Sequence, residues 1–310
     1  MIEVSSVTDL PGDLPATAVT IGKFDGVHLG HQKLLAELLE TAEDAALSAV
    51  VVTFDRHPDA LFNPERLKPS VIGPIQKSHL LNEAGVDVLV TLPFDEHLSS
   101  LSPEAFVHEI LVNGLSAKWV LVGEGFRFGS GGSGTVETLR ELGVKYGFRV
   151  REVGSVCIDG DVVSSTRIRD LLDAADVKKA AELLGRPHVT TGMIEHGLKI
   201  GRQIGFPTAN MSRDAEGYLP LDGVYAGWLY VDGERYPTAL SVGINETFQA
   251  VPRLIEAHVI DRRDLNLYDK VVSLEYVDFV RPAAKFDGVE SLVAEINRDL
   301  EKCRVILGTE

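Results

Sequence analysis

Between Ala18 and about Val153, short runs that are almost wholly apolar alternate with longer stretches whose apolar residues recur at helical spacing. The runs AVTI, SAVVVTF, VDVLVTL, KWVLVG and FRVREV are predicted strands. LGHQKLLAELLETAEDAAL, QKSHLLNEAG, PEAFVHEIL and TVETLRELGVKYG are predicted helices. Strands apolar on both faces imply a parallel sheet covered by helices on both sides, a Rossmann-like α/β fold. A helical pair, TRIRDLLDAADVKKAAELLG, then stops at Gly185 with Pro187 just beyond.

After that stop the pattern changes to HVTTGMIEHG, GVYAGWLYV, ERYPTALSVGI, LIEAHVID and KVVSLEYVDFV. Period-two alternation over Val271–Val280 predicts antiparallel strands with one buried face, and Asp232-Gly233 between two such runs is a tight hairpin signal. A small closed barrel buries such strands best, and the helical pattern VESLVAEINRDLEKCRVIL closes the chain. Two domains are expected, residues 1–185 and 186–310.

Composition narrows the partners. The chain has 310 residues, 45% hydrophobic and 25% charged, as in ordinary globular proteins, with a formal net charge of -16. That charge repels nucleic acid and anionic membrane, so any site for phosphates is local. The opening MIEVSSVTDLPGDLP lacks the basic and apolar regions of a signal peptide, and no run of apolar residues is long enough to span a bilayer, so a cytoplasmic location is expected. Cys157 and Cys303 lie far apart in sequence and are expected to be buried free thiols.

Chemistry is concentrated in four strings. The first is Thr20–His31, an apolar strand ending in a glycine-bearing turn that opens a helix. Gly22, Gly26 and Gly30 permit close backbone approach, the helix N-terminus favours anions, and His28 and His31, three apart, share a face from which both can donate to phosphate oxygens. Surface or structural histidines are the alternative. HxGH is neither HExxH nor part of a Walker A loop. The second string is the loop GEGFRFGSGGSG at Gly123–Gly134, read either as a flexible lid or as two aromatic faces, Phe126 and Phe128, beside Arg127. The third, SSTRIRDLL, is either a capped amphipathic helix or a second phosphate clamp, with Ser164 or Ser165 as cap and Thr166 and Arg169 one turn apart. The fourth, His196–Asn210, carries glycines at 197, 201 and 205 and reads as a turn between strands or as a phosphate loop.

In combination, GxFDGVHLGH, the aromatic-glycine loop and SSTRIR resemble the adenylyltransferase module of prokaryotic FAD synthetases, within the HxGH nucleotidyltransferase superfamily. GRxIGFPTAN resembles the signature of riboflavin kinases, the six-stranded barrel that forms the C-terminal module of the same synthetases. The resemblance runs over essentially the whole chain. It implies an enzyme that phosphorylates riboflavin to FMN and adenylylates FMN to FAD with release of pyrophosphate. ATP is its co-substrate, Mg2+ its metal, and FMN and FAD its substrate and product. It implies ATP and phosphate contacts at Gly22, Phe24, Gly30, Ser165, Thr166 and Arg169 in the first half and at Gly197, Gly201, Arg202, Phe206, Thr208 and Asn210 in the second. Thr208 and Asn210 are the implied metal ligands, and Gly125, Phe126 and Phe128 the implied flavin contacts. The family's catalytic base sits in a strand reading (V/I)EAHxxD, which places it at Glu256. His28 and His31 complete the implied catalytic set. Without the resemblance, Glu256 is an outward-facing carboxylate on an alternating strand.

The chain departs from the family at Gly125, where most members carry Asp or Asn, at Ile244 and Glu246 in GINETF, and at Asp269 in NLYD. A rival reading is therefore a flavin-binding carrier or regulator with one silenced site; a nucleotidyltransferase for another acceptor is disfavoured by the kinase signature on the same chain. The expected partners are riboflavin, FMN and ATP, with no nucleic acid and no membrane, in a monomer or weak homo-oligomer.

Overall fold

The computed structural model describes residues 1–309 apart from 57–64, 66, 67, 197–200, 202–204, 244–252 and 263. Packing divides the chain into two compact units. The first comprises Met1–Pro69 and Pro74–Val163, the second Ser164–Glu310 together with Ser70–Gly73.

The elements of the first unit run β1 (Ile2–Val4), β2 (Thr17–Ile21), α1 (Leu29–Asp44), β3 (Ser48–Phe54), α2 (Pro74–Glu83) and β4 (Val88–Leu92). They continue with α3 (Glu96–Ser100), α4 (Pro103–Phe106, running on as a π-helix to Gly114), β5 (Ala117–Gly123), α5 (Val136–Tyr146) and β6 (Arg149–Val153), then the small hairpin β7 (Cys157–Ile158) and β8 (Asp161–Val162). Six parallel strands pair in the order β1-β4-β3-β2-β5-β6. Every residue of β2 is buried, as are Ala49–Thr53 of β3, which is why these segments read as unbroken apolar runs. Leu34, Leu35, Leu38 and Ala42 form the buried stripe of α1, spaced as a helix packed on a sheet requires.

The strand order reverses between β2 and β5. From β2 the chain builds outward through β3 and β4, and returns to place β5 and β6 on the other side. In open parallel sheets, ligands bind beyond the carboxyl ends of the strands at that reversal. Both the Gly22–His31 turn and the Gly123–Gly134 loop leave from it.

The second unit begins with α6 (Ser165–Asp173) and α7 (Val177–Leu184), which ends on Gly185 in a left-handed conformation. There follow β9 (His188–Glu195), β10 (Ala209–Met211), β11 (Gly223–Val231), β12 (Glu234–Gly243), β13 (Leu254–Val259), β14 (Val271–Pro282) and α8 (Val289–Leu307). The six strands close an antiparallel barrel in the order β10-β13-β12-β11-β14-β9. Val231 pairs with Glu234 across Asp232 and Gly233, both at positive φ, the two-residue turn that the sequence signals. Helix α8 lies against the barrel, and its buried Asp299 receives Arg281 of β14 through Nε and Nη2 at 2.8–3.0 Å.

Both cysteines are free thiols. Cys303 is buried, and its thiol is pushed up to about 12 by burial and then by Asp299. Cys157 is exposed, contrary to expectation, because its two-residue strand is paired only with β8 and has no layer packed over it. No helix among the described residues is long and apolar enough to cross a membrane.

Candidate active sites

At the reversal point of the sheet, β2 ends at Ile21 and the chain turns through Phe24 (φ 49°), Gly26 (φ 88°) and Val27 (φ 41°). A β-branched residue at positive φ is strained, and such strain persists where burial over-determines it. Val27 and Phe24 are both buried, and the turn is closed by Val27 N donating to Phe24 O at 3.3 Å. It delivers His28 to the N-cap of α1 in an extended conformation, and the first intrahelical bond runs from Gln32 N to His28 O. No side chain caps this end, so the amides of Leu29, Gly30 and His31 stand at a positive helix terminus without intrahelical partners.

The His28 and His31 rings stack at 3.7 Å between centroids, 22° apart, with the Phe24 ring 5.0 Å from His31. Gly30 is required by that stack: a Cβ there would lie 3.2 Å from Cε1 and Nδ1 of His28. His28 is buried. Burial, and then the neighbouring His28 and Lys77, hold His31 well below the ordinary histidine range, so its imidazole is neutral near pH 7. Its Nδ1 is buried without a hydrogen-bond partner among the described residues. Lys77, which the motif reading did not single out, reaches this site from α2.

Some expected contacts are otherwise engaged. Gly22 N donates to Val52 O at 3.0 Å, extending the sheet, so that amide is not offered to a phosphate. The Phe24 ring is fully buried and packs beneath His31. Phe128 is a core residue whose ring meets Phe106 at 5.9 Å and Phe126 at 5.7 Å, which leaves the half-buried Phe126 as the aromatic face of its loop. The loop is pinned by reciprocal backbone bonds between Phe128 and Gly134. Gly125 is exposed at φ 72°, with nothing within 4 Å of where its Cβ would lie, a left-handed position that Asn or Asp also tolerates. Ser164, rather than Ser165, caps α6 by accepting from Arg167 N at 3.2 Å. Arg169 Nη2 donates to the exposed Thr166 Oγ1 at 3.4 Å, one turn apart.

In the barrel, β10 lies between β13 and β9, and Asn210 stands directly opposite both Glu256 and Glu195. Alternation settles the faces. Ala209, Met211, Ile255, Ala257 and Val259 are buried inside, so Asn210, Glu256 and His258 project from the outer wall on one side of the sheet. Thr208 precedes Asn210 by two residues. The loop leading to it closes through Phe206 N donating to Gly201 O at 2.8 Å, and a Cβ on Gly201 would collide with Phe206 O at 2.3 Å and press Thr208 Oγ1 at 3.3 Å. His258 Nδ1 donates to Pro207 O at 2.8 Å, tying the Glu256 strand to the approach to Thr208. His258 was legible as a same-face neighbour of Glu256, two residues on, but its role was not. Beside this row opens a cavity of about 500 Å³ lined by Phe206, His258, Asp261, Arg262, Asn297 and Arg304. Arg304 of α8 donates to Asp261 at 2.8 Å and holds that carboxyl below its usual range. Gly197, Arg202, Ile244 and Glu246 lie outside the described residues. Asp269, a further departure from the family, adopts φ 61°, a left-handed conformation that glycine takes most readily and that Asp also tolerates.

An uncapped helix terminus at a sheet reversal is suited to an anion, and a carboxylate–amide–hydroxyl row lies on the barrel wall; the family matches make the chain a tandem of two nucleotide-dependent transferases. Residues 11–167 match the family described as FAD synthetase, and residues 184–307 the family described as riboflavin kinase. Curated relatives called bifunctional riboflavin kinase/FMN adenylyltransferase include that of Pseudomonas fluorescens, 36% identical over 93% of this chain and 92% of the relative. Those of Haemophilus influenzae (33%, covering 96% of each chain) and Escherichia coli (33%, covering 94% and 92%) carry the same description. A solved structure from Streptococcus pneumoniae, titled a macrolide-efflux protein, is 32% identical, with 98% of each chain covered and a TM-score of 0.87. Its title names a different activity from the one on which the family matches and the curated relatives agree. The chain belongs to the bifunctional riboflavin kinase/FMN adenylyltransferase family.

Proposed function

We propose that the Thr208–Asn210–Glu256 row phosphorylates riboflavin with ATP and that the His28–His31 site adenylylates the resulting FMN with a second ATP. The observation that carries this reading is the direct cross-strand pairing of Asn210 with Glu256, which joins the two halves of the kinase signature on one outer face of the barrel.

In the kinase step the 5′-hydroxyl of riboflavin attacks the γ-phosphorus and ADP leaves. A hydroxyl is a poor nucleophile at neutral pH, and Glu256 accepts its proton as the bond forms. The hydroxyl of Thr208 and the amide oxygen of Asn210, set beside a carboxylate, are donors that suit Mg2+ completing its shell with phosphates and water, and these two residues would hold it. When bound, the ion neutralises charge on the transferred phosphate. The cavity beside the row falls within the size range of small-molecule sites and would take the nucleotide, with Phe206, Arg262 and Arg304 in its lining.

In the adenylyl step an FMN phosphate oxygen, already anionic, attacks the α-phosphorus, and the electron pair of the broken bond leaves on pyrophosphate. No base is needed, so the work is orientation and stabilisation of the leaving charge. His28, His31 and the uncapped amides of Leu29–His31 donate to those phosphates. Phe126 offers the flavin a ring face; the phosphate role of Thr166 and Arg169, on α6 of the second unit, rests on the family resemblance alone.

Incubating the full chain with riboflavin and Mg-ATP and separating flavins by chromatography tests the reading. FMN is expected to rise first and FAD to follow. Riboflavin that binds but stays unchanged would instead support a carrier with silenced sites.

A further inference from the structure

Lys77 projects from α2 toward the carboxyl edge of the sheet on the β3 side of the His28–His31 turn. Its Nζ lies 3.5 Å from Thr53 Oγ1, long for a hydrogen bond, and that hydroxyl donates to Lys23 O at 3.2 Å inside the turn. Thr53 is buried near the end of β3, so the ammonium stands over the same strand ends as the turn. The side chain is half-buried, whereas an ordinary lysine keeps its head in water. Burial lowers its proton affinity below the usual value, Asp25 opposes that without cancelling it, and Lys77 in turn disfavours protonation of His31. A desolvated ammonium is costly without a close anion. Pairing with Asp25 alone would make Lys77 a strut for the turn. The incomplete compensation, at a site that also holds a neutral His31 and an uncapped helix end, calls for an anion from outside the chain.

We propose that Lys77 is a further catalytic residue of adenylyl transfer, its ammonium contacting the ATP polyphosphate and neutralising the charge that gathers on pyrophosphate as it leaves. The proposal rests on the adenylyltransferase reading. Lys77 keeps its proton throughout: the bond between the α-phosphorus and the bridging oxygen breaks toward pyrophosphate, and the new bond forms from the FMN oxygen.

The test compares the full-length parent with Lys77→Met and Lys77→Arg, measuring FAD formation from FMN, its inhibition by added inorganic pyrophosphate, and FMN formation from riboflavin. Lys77→Met should lose about 10²-fold in the rate of FAD formation, as expected for one preorganised charge contact. Its pyrophosphate inhibition should weaken about tenfold, the effect of a contact worth ~1.4 kcal/mol, while kinase activity stays near the parent's. Lys77→Arg, which keeps the charge, should retain most of the pyrophosphate inhibition, and it carries the test if the methionine variant does not fold. Unchanged pyrophosphate inhibition in Lys77→Met, or equal loss in both variants, overturns the role of Lys77 while leaving the two-step function standing. A parent that makes FMN but no FAD overturns both.

Discussion

His28 and His31 illustrate how ordinary residues acquire a task from their surroundings. A strained turn places one at a helix N-cap and the other one turn into the helix, a glycine between them lets the rings stack at 3.7 Å, and burial keeps His31 neutral. A neutral His31 imidazole at an uncapped helix end is a donor rather than a proton carrier, which fits a reaction whose nucleophile is already ionised. Replacing His28 with Ala should therefore lower FAD formation by roughly 10²–10³-fold, the usual effect of removing one oriented donor, with FMN formation preserved. A variant within a few-fold of the parent would place the adenylyl site elsewhere. His188, at the start of β9, makes a different prediction. Burial brings it down to about 4, although its ring N–H at Nε2 donates to Tyr218 O at 2.7 Å. The unfolded chain takes up this proton near pH 6.5 and the folded chain does not until about pH 4. Stability is therefore intact above about 6.5, falls through the window between, and has lost about 3 kcal/mol below it, at ~1.4 kcal/mol per pH unit. Urea midpoints measured from pH 7 to 4 should fall more steeply for the parent than for His188→Gln, and parallel curves would contradict this.

At the scale of elements, the long periodic segments were legible and the short ones were not. The five apolar runs of the first half became β2–β6, and Asp232-Gly233 became the hairpin turn, because each carries enough residues or a specific enough φ requirement to leave a pattern. Strand β1 has three residues and is defined by pairing with β4, and β10 has three residues between a glycine-rich loop and its partners, so neither completes a recognisable period. Lys77 escaped notice for a related reason: its place in the site is set by the packing of α2, not by spacing within a motif. Packing groups α6 and α7 with the barrel, ahead of the division expected at Gly185–Pro187. Helix α7 covers the barrel strands β9 and β14 and buries Val177, Ala180, Leu183 and Leu184, while Val71, from the excursion Ser70–Gly73, is fully buried and accepts from Tyr218 N. A fragment beginning at Arg186 leaves that cover behind, and forgoing the burial of Leu183 and Leu184 alone removes about 3–5 kcal/mol of stabilisation. We expect urea midpoints, read by kinase activity, to fall from the full chain to Ser164–Glu310 and again to Arg186–Glu310. An Arg186–Glu310 fragment as stable as the Ser164–Glu310 fragment would show that α7 is dispensable to the barrel.

Taken whole, the molecule carries a formal charge of -16 yet handles polyphosphates in two places, so each site supplies its own local positive potential. The proposed source at the first is the helix terminus with Lys77; at the second, where Arg304 is paired with Asp261 and Arg262 with Asp264, it is the divalent cation that Thr208 and Asn210 would hold. The central claim is that the two sites are chemically separate, one depending on a proton acceptor and the other not. Glu256→Gln tests it most directly, since the amide keeps size and hydrogen bonding while removing the basic oxygen. FMN formation from riboflavin should fall by about 10²–10⁴-fold, toward the lower end because a loose phosphoryl-transfer state relies less on proton removal. FAD formation from supplied FMN should be unchanged in the same preparation, and the affinity for Mg-ATP nearly so. Equal loss in both half-reactions, or loss in neither, would contradict the account.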